Sequence, residues 1–308
     1  MSMKIKNLLG IRELESEDII QILDTAALMK PIMETKNKKT NYLQGKILVT
    51  LFYEPSTRTR VSFELAAKYL GATTTNISTS TSSVVKGETL IDTARTLQAM
   101  GVDIVVMRHP MTASHRLLER HLDATIINAG DGINEHPTQA LLDIFTMRQY
   151  KQRIKGLKVV IAGDILHSRV ARSNIWGLTK LGAKVAVAGP STLIPRDIEK
   201  LGVEVYNNVR DAAVDADVVM ALRVQLERQK SGLFPSLREY SMYFGIDESV
   251  LEVAKDDVLV MHPGPVNRGV ELPSSIMDAS NSAIEEQVTN GVAVRMALLY
   301  LLTRGGDI

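Results

Sequence analysis

The chain of 308 residues contains no cysteine, which excludes disulfides, thiolate metal ligands and a cysteine nucleophile. It also has almost no net charge, since 36 Lys and Arg against 35 Asp and Glu leave a formal +1. A global basic field that would attract nucleic acid is therefore missing, and any anion site must be a local concentration of charge. No apolar stretch is long enough to span a bilayer. The start, Met1-Ser2-Met3-Lys4-Ile5-Lys6, lacks the apolar core of a signal peptide. The expectation is a cytoplasmic protein whose partners are neither nucleic acid nor membrane. What is present is ordinary for a globular protein: 45% hydrophobic and 23% charged residues. The length exceeds that of most single cores, so two domains are expected.

Hydrophobic patterning predicts strands alternating with helices, and hence parallel βαβ units. In the first half, strands are expected at 46–53, 102–107 and 126–128, with helices at 56–70, 88–100 and 136–150. The polar run Lys151-Gln152-Arg153-Ile154-Lys155-Gly156 reads as a hinge. A second series of strands is expected at 158–163, 184–188, 203–206, 217–222 and 257–261, before a final helix from 284 to about 302. The fold class is α/β, with two domains that are each a parallel β-sheet flanked by helices. Residues 1–150 form the first and 151–283 the second. The C-terminal segment 284–308 could join either domain, and packing back on the first is the expectation. Residues 73–83 are almost entirely Ser and Thr. They read either as a flexible solvated loop or as a mobile loop carrying Lys86 over an anion site.

The most specific motif is Ser56-Thr57-Arg58-Thr59-Arg60, placed between an expected strand and an expected helix. It delivers two kinds of hydroxyl, two guanidinium groups and a helix N-terminus to one point. First-turn N–H groups have no intrahelical partners, the dipole favours an anion, and Arg offers forked donors suited to phosphate. The alternative is that Ser56 merely caps the helix. Arg108 and His109 end a strand, where ligands gather in open parallel sheets, although an Arg there could also be a plain surface charge. His136-Pro137-Thr138-Gln139 puts an imidazole and a carboxamide on one face of a helix start. Together they can donate to a carbonyl oxygen and accept from an amide nitrogen; Asn134, Glu135 and Asp143 add polarity.

In the second half, Gly163-Asp164-Ile165-Leu166-His167-Ser168 lacks two of the glycines of a dinucleotide fingerprint, so a nicotinamide cofactor is disfavoured. Arg169 near a helix start and Arg223-Val224-Gln225 at a strand end could jointly hold two carboxylates, or be solvated charges. His262-Pro263-Gly264-Pro265-Val266-Asn267-Arg268-Gly269 cannot be regular structure. Such a rigid loop could serve as a turn or offer its carbonyls to a ligand.

The Ser-Thr-Arg-Thr-Arg turn, Met107-Arg108-His109-Pro110 and His136-Pro137-Thr138-Gln139 make the chain resemble the carbamoyltransferases over essentially its whole length. Arg223-Val224-Gln225 and the 262–271 loop resemble the aspartate-specific branch; the Ser-Met-Gly and His-Cys-Leu-Pro segments of the ornithine-specific branch are missing. The resemblance implies transfer of the carbamoyl group of carbamoyl phosphate to L-aspartate, a step of pyrimidine biosynthesis, with no cofactor and no metal. It implies that Ser56, Thr57, Arg58 and Thr59 bind the phosphate with help from Arg108. Thr59, Arg108 and His136 would polarise the carbamoyl oxygen, while Gln139 and the carbonyls of Gly264 and Pro265 hold the amino group. Arg169, Arg223 and Gln225 would bind the aspartate carboxylates. Ser82 and Lys86 match a loop that reaches into a neighbouring subunit's site, which implies a homotrimer with shared sites; regulatory chains are possible. Glu54 and Arg228 match charges that pair during domain closure, and a cis Gly264–Pro265 bond is implied. Relatives often carry Leu or Ala at Gly264, a difference of little consequence where the backbone acts. A carbamoyltransferase for another amine and a non-catalytic scaffold are the alternatives. The intact polar positions speak against the scaffold.

Overall fold

The computed structural model describes residues 3, 5–78, 88–225 and 236–304. It divides into two compact units, Met1–Leu141 with Val288–Ile308, and Leu142–Gln287.

The first unit holds helices α1 (Ser16–Met29), α2 (Thr57–Tyr69), α3 (Leu90–Ala99) and α4 (Ser114–Glu119), and begins α5 (Pro137–Lys151). Its strands are β1 (Ile47–Phe52), β2 (Thr73–Ser78), β3 (Ile104–His109) and β4 (Thr125–Asp131). They form a parallel sheet in the order β2-β1-β3-β4. β1 and β4 are almost wholly buried, as expected for strands covered on both faces. Val49, Leu51, Val105, Met107 and Ile126 meet Ala94 and Leu97 of α3 and Leu118 of α4 in one core.

β2 corrects the expected Ser/Thr loop at residues 73–78; the rest of that stretch, 79–83, lies outside the described residues. Thr73–Ser78 pairs in parallel with β1, and Thr50 Oγ1 donates to Asn76 Oδ1 at 2.9 Å. Branched Thr fits a pleated strand, and the exposed edge of β1 supplies the partners that composition alone does not reveal. α1 is a further element that the sequence reading did not include. Its buried Ile19, Ile22, Leu23, Ala26 and Met29 lie at helical spacing.

The second unit's strands are β5 (Lys158–Ala162), β6 (Lys184–Ala188), β7 (Glu204–Tyr206), β8 (Val218–Ala221) and β9 (Leu259–Met261). They are all parallel, in the order β7-β6-β5-β8-β9. Around them lie α6 (Arg169–Lys180), α7 (Val209–Ala213), α8 (Leu237–Phe244), α9 (Glu248–Leu251) and α10 (Ser274–Met277), followed by α11 (Ile284–Arg304). Small side chains dominate one face of this sheet: Val160, Ala162, Ala186, Ala188, Val219 and Ala221 cluster with Ala212 and Ala213 of α7. Among the described residues, no helix is long and apolar enough to cross a membrane.

The division between units falls inside helices, at 141/142 in α5 and 287/288 in α11, rather than at 150/151 and 283/284. Hydrogen bonds explain the difference. Asp143 accepts from Asn174 of α6 and from Gln287, and Lys151 pairs with Asp257. The later part of α5 is thereby fastened to the second unit. Beyond Val288, α11 belongs to the first unit, where buried Arg295 donates to Ser62 of α2 at 3.1 Å and to Thr138 at 3.4 Å.

Candidate active site

In each sheet the chain reverses its direction of strand addition once, between β1 and β3 in the first and between β5 and β8 in the second. The carboxyl ends of such strands open a crevice that no crossover helix covers. Ser56–Thr59 follow β1 and Arg108 lies near the end of β3, while Arg169 follows β5 and Arg223 and Gln225 follow β8; His136 and Gln139 come after β4, and Gly264 and Pro265 after β9.

In the first unit, β1 ends at Phe52 and α2 begins at Thr57. Ser56 takes the extended N-cap conformation, but its hydroxyl makes no capping bond, so simple capping does not account for it. The first i→i−4 bond runs from Arg60 N to Ser56 O at 3.3 Å. The amides of Thr57, Arg58 and Thr59 therefore precede the hydrogen-bonded ladder and face the end of the helix where its dipole is positive. Thr57 and Arg58 are exposed and Thr59 is buried. Beside them, Phe52 is in register with Arg108 of β3, and Tyr53 N donates to Arg108 O at 2.8 Å. The β3–β4 register shifts between Met107 and His109: two residues of β4, Ala129 and Gly130, oppose the single Arg108, and Gly130 takes φ +120 there. The Arg108 guanidinium lies 3.2 Å from Glu54. Desolvation holds the His109 imidazole below its usual value, against the opposing pull of Glu54 and Asp131. His109 Nδ1 accepts from Met111 N at 3.0 Å, in keeping with a neutral ring.

β4 leads into the turn that carries His136. Three buried side chains hold it. Asn128 donates to Asp131 Oδ1 and to Leu9 O, each at 2.8 Å. Asp131 also accepts from Glu135 N at 3.1 Å and Ala113 N at 2.7 Å. Glu135 reaches back to the N-terminal segment, accepting from Ile11 N at 2.7 Å and Arg12 N at 3.3 Å. Gly132 has φ +51, and a Cβ there would lie 2.7 Å from Thr112 Oγ1, so this position requires glycine. His136 then opens α5: its carbonyl accepts from Gln139 N at 3.0 Å and Ala140 N at 3.3 Å. Both His136 and Gln139 are buried.

In the second unit, Asp164 follows β5 and is fully buried. Its carboxylate accepts from His167 N at 3.2 Å and contacts His167 Nδ1 at 2.9 Å. It also accepts from Gln225 N at 3.3 Å, which joins the loops after β5 and β8. Arg169 is the first residue of α6 and is buried; Ser168 caps that helix by accepting from Ala171 N at 3.1 Å. Arg223 donates to Gln225 Oε1 at 3.5 Å. Glu271 fastens this segment to the loop after β9. It accepts from Val224 N at 2.9 Å, Asn267 N at 2.7 Å and Asn267 Nδ2 at 2.7 Å. Burial pushes the Glu271 carboxyl up, and the three donors work in the opposite sense. The Gly264–Pro265 bond is cis.

Ser56, Thr57, Arg58, Thr59, Arg108, His136 and Gln139 thus belong to the first unit, and Arg169, Arg223, Gln225, Gly264 and Pro265 to the second. Ser82, Lys86 and Arg228 lie outside the described residues. Sequence reasoning missed the supporting roles of Asn128, Asp131, Asp164 and Glu271. Their signal is a carboxylate or amide at a strand end or among apolar neighbours, where burial demands partners.

Comparison with known proteins yields a consistent set. The model of the aspartate/ornithine carbamoyltransferase carbamoyl-P binding domain matches residues 6–149, and that of the Asp/Orn binding domain matches 155–302. The aspartate carbamoyltransferase catalytic subunit of Ruminiclostridium cellulolyticum is 65% identical over 308 residues, covering 100% of this chain and 98% of that protein. That of Acetivibrio thermocellus is 65% identical over 304 residues, covering 99% and 97%. Among solved structures, the aspartate transcarbamoylase of Trypanosoma cruzi in complex with N-(phosphonacetyl)-L-aspartic acid aligns with a TM-score of 0.87 at 30% identity, covering 96% of this chain and 95% of that one. The ornithine carbamoyltransferase of Pyrococcus furiosus aligns with a TM-score of 0.88 at 31% identity, covering 100% and 99%. The backbone is common to both acceptor specificities, whereas the 65% identity is to aspartate-specific relatives. With both domain models matched and full-length relatives at this identity, the chain belongs to the aspartate/ornithine carbamoyltransferase family.

Proposed function

We propose that the chain transfers the carbamoyl group of carbamoyl phosphate to the amino group of L-aspartate, giving N-carbamoyl-L-aspartate and phosphate. The 65% identity to aspartate carbamoyltransferase catalytic subunits over the full length carries this reading, and the Ser56–Arg60 chemistry supports it independently. The first unit is the carbamoyl phosphate-binding domain and the second the aspartate-binding domain. Ser56, Thr57, Arg58, Thr59 and Arg108 take the phosphate; Thr59, Arg108 and His136 donate to the carbamoyl oxygen. Gln139 and the carbonyls of Gly264 and Pro265 hold the carbamoyl amino group, and Arg169, Arg223 and Gln225 hold the two carboxylates.

The chemistry needs no covalent enzyme intermediate. The amine nitrogen attacks the carbonyl carbon, the bond from that carbon to the phosphate oxygen breaks, and the departing phosphate takes the amine proton. Donors aimed at the oxygen on which charge develops stabilise the tetrahedral state, and fixing the two reactants supplies much of the remaining acceleration. His136 acts here as a donor. A panel of amine acceptors at fixed carbamoyl phosphate tests the assignment: carbamoyl aspartate should form and carbamoyl ornithine should not. Ornithine as the preferred acceptor would overturn it.

The site is completed by Ser82 and Lys86 from a neighbouring copy, in a cytoplasmic homotrimer. The family resemblance of the loop around Lys86 supports this reading. Mixed trimers of Lys86→Ala and Arg58→Ala chains should regain activity that neither variant has alone; verified hybrids without activity would refute shared sites.

A further inference from the structure

We propose that Asp143 and Gln287 form a buried positioning relay for the turn at residues 262–265, whose Gly264 and Pro265 carbonyls hold the carbamoyl amino group; this rests on the function proposed above. Neither residue has a role in the chemistry, yet both are buried, Asp143 at 0% and Gln287 at 3% exposure. A carboxylate removed from water is costly unless it is hydrogen-bonded, and Asp143 is bonded through both oxygens. Its Oδ2 accepts from Asn174 Nδ2 at 2.8 Å and its Oδ1 from Gln287 Nε2 at 2.8 Å. The relay continues through Gln287 Oε1, which accepts from His262 N at 2.9 Å, and through His262 Nδ1, which accepts from Gly264 N at 2.8 Å. The cis Gly264–Pro265 bond follows directly.

The direction of every bond in this relay is fixed by chemistry. A carboxylate only accepts and a backbone N–H only donates, so Gln287 has a single usable orientation, with its NH₂ on Asp143 and its oxygen on His262. Because Nδ1 of His262 accepts, the ring proton sits on Nε2. Asp143 therefore sets the amide, the amide sets the main chain at His262, and the imidazole sets the main chain at Gly264. The Asp143→Asn change would undo this. A carboxamide's one oxygen cannot serve both Asn174 and Gln287; turning the Gln287 amide around would aim an NH₂ at the His262 N–H, and turning the Asn174 amide around would aim its oxygen at Val170 O, to which Nδ2 now donates at 3.1 Å.

The same logic supplies a rescue by the paired exchange Asp143→Asn/Gln287→Glu. The carboxamide now at position 143 accepts from Asn174 through its oxygen. Its NH₂ donates to one oxygen of the carboxylate now at position 287, whose other oxygen accepts from His262 N. All bonds return, and the charge has moved to the other side of the relay.

The test compares the two single variants with the double exchange, measuring steady-state carbamoyl aspartate formation and amide hydrogen exchange of the 259–266 segment. Each single variant should lose at least about tenfold in kcat/KM for carbamoyl phosphate and exchange faster at 262–264; the double exchange should return most of the way to the parent by both measures. Folded single variants that keep parental kcat/KM and exchange would overturn the relay. So would a folded double exchange no better than its parents. If a single variant does not fold, the double exchange decides, since only the relay predicts its recovery. Should the parent chain make no carbamoyl aspartate, the functional reading fails, and hydrogen exchange alone then decides for or against the relay.

Discussion

Gly10 and Glu135 form a contact whose energetics can be worked out in advance. A Cβ at Gly10 would lie 2.4 Å from Glu135 Oε1 and 3.0 Å from its Cδ. Gly10 lies outside the left-handed backbone region, so Gly10→Ala acts through this collision alone. Restoring ordinary contact requires the carboxylate to retreat by about 1 Å, which breaks bonds to Ile11 N and Arg12 N that now stand at 2.7 and 3.3 Å. A hydrogen bond to a charged group contributes about 1.5–3 kcal/mol. Restricting the unfolded chain returns about 0.4–1 kcal/mol. Gly10→Ala, which loses both bonds, is therefore expected to destabilise by about 2–5 kcal/mol. In a Glu135→Ala background the collision partner is gone, and the same change should stabilise by about 0.4–1 kcal/mol. The sign of the shift in the urea midpoint is the readout, so unfolding of two domains in separate steps does not blur it. Because Glu135 precedes His136, a displacement of about 1 Å is also expected to lower turnover, by as much as about a hundredfold. A Gly10→Ala shift of equal sign and size in both backgrounds would refute the coupling. Parental kcat in a destabilised Gly10→Ala chain would refute the link to His136.

Arg58→Ala should abolish measurable carbamoyl phosphate binding, whereas Arg223→Ala should raise the aspartate KM far more than that for carbamoyl phosphate; equal effects on both substrates in either variant would defeat its assignment. His136→Ala should keep the fold and carbamoyl phosphate affinity while losing about 10²–10³ in kcat, the cost of one oxyanion donor, and unchanged turnover would remove it from the reaction. The Asp217 carboxyl sits below its usual value, because burial, which alone would raise it, is outweighed by Lys255 at 2.7 Å, Lys158 N at 2.8 Å and Arg153 at 3.6 Å. A depressed folded value means that this stabilisation is full above the unfolded value of about 3.9 and is lost as pH falls through the folded one. Melting temperature should thus drop more steeply below about pH 4 in the parent than in Asp217→Asn, and parallel acid limbs would refute the role.

What could be read from the sequence was whatever depends on near neighbours. The Ser56–Arg60 cluster needs only a buried strand before it and a helix after it, and both are visible in local periodicity. Arg108 and Arg223 could be found for the same reason, since each ends an apolar run. β2 could not, because its hydroxyl-rich composition suits a loop equally well, and the deciding factor is the edge of β1 beside it. The division inside α5 was hidden more thoroughly. Helical periodicity continues without a break across Leu141 and Leu142, while the polar run at 151–156 imitates a linker. The bonds from Asp143 to Asn174 and Gln287 and the pair Lys151–Asp257 show where the helix changes allegiance. The supporting carboxylates follow the same rule. Glu135 finds its donors at Ile11 and Arg12, Glu271 finds one at Val224, and Asp143 finds one at Gln287, partners that only the assembled topology can bring together. Yet a trace was present in two of them. Asp143 stands between Leu142 and Ile144, and Glu271 between Val270 and Leu272. A single acid among apolar neighbours must either break the buried face or be matched by donors from elsewhere in the chain. In a segment leading to a ligand site, that unmet demand marks a side chain that positions the backbone around it.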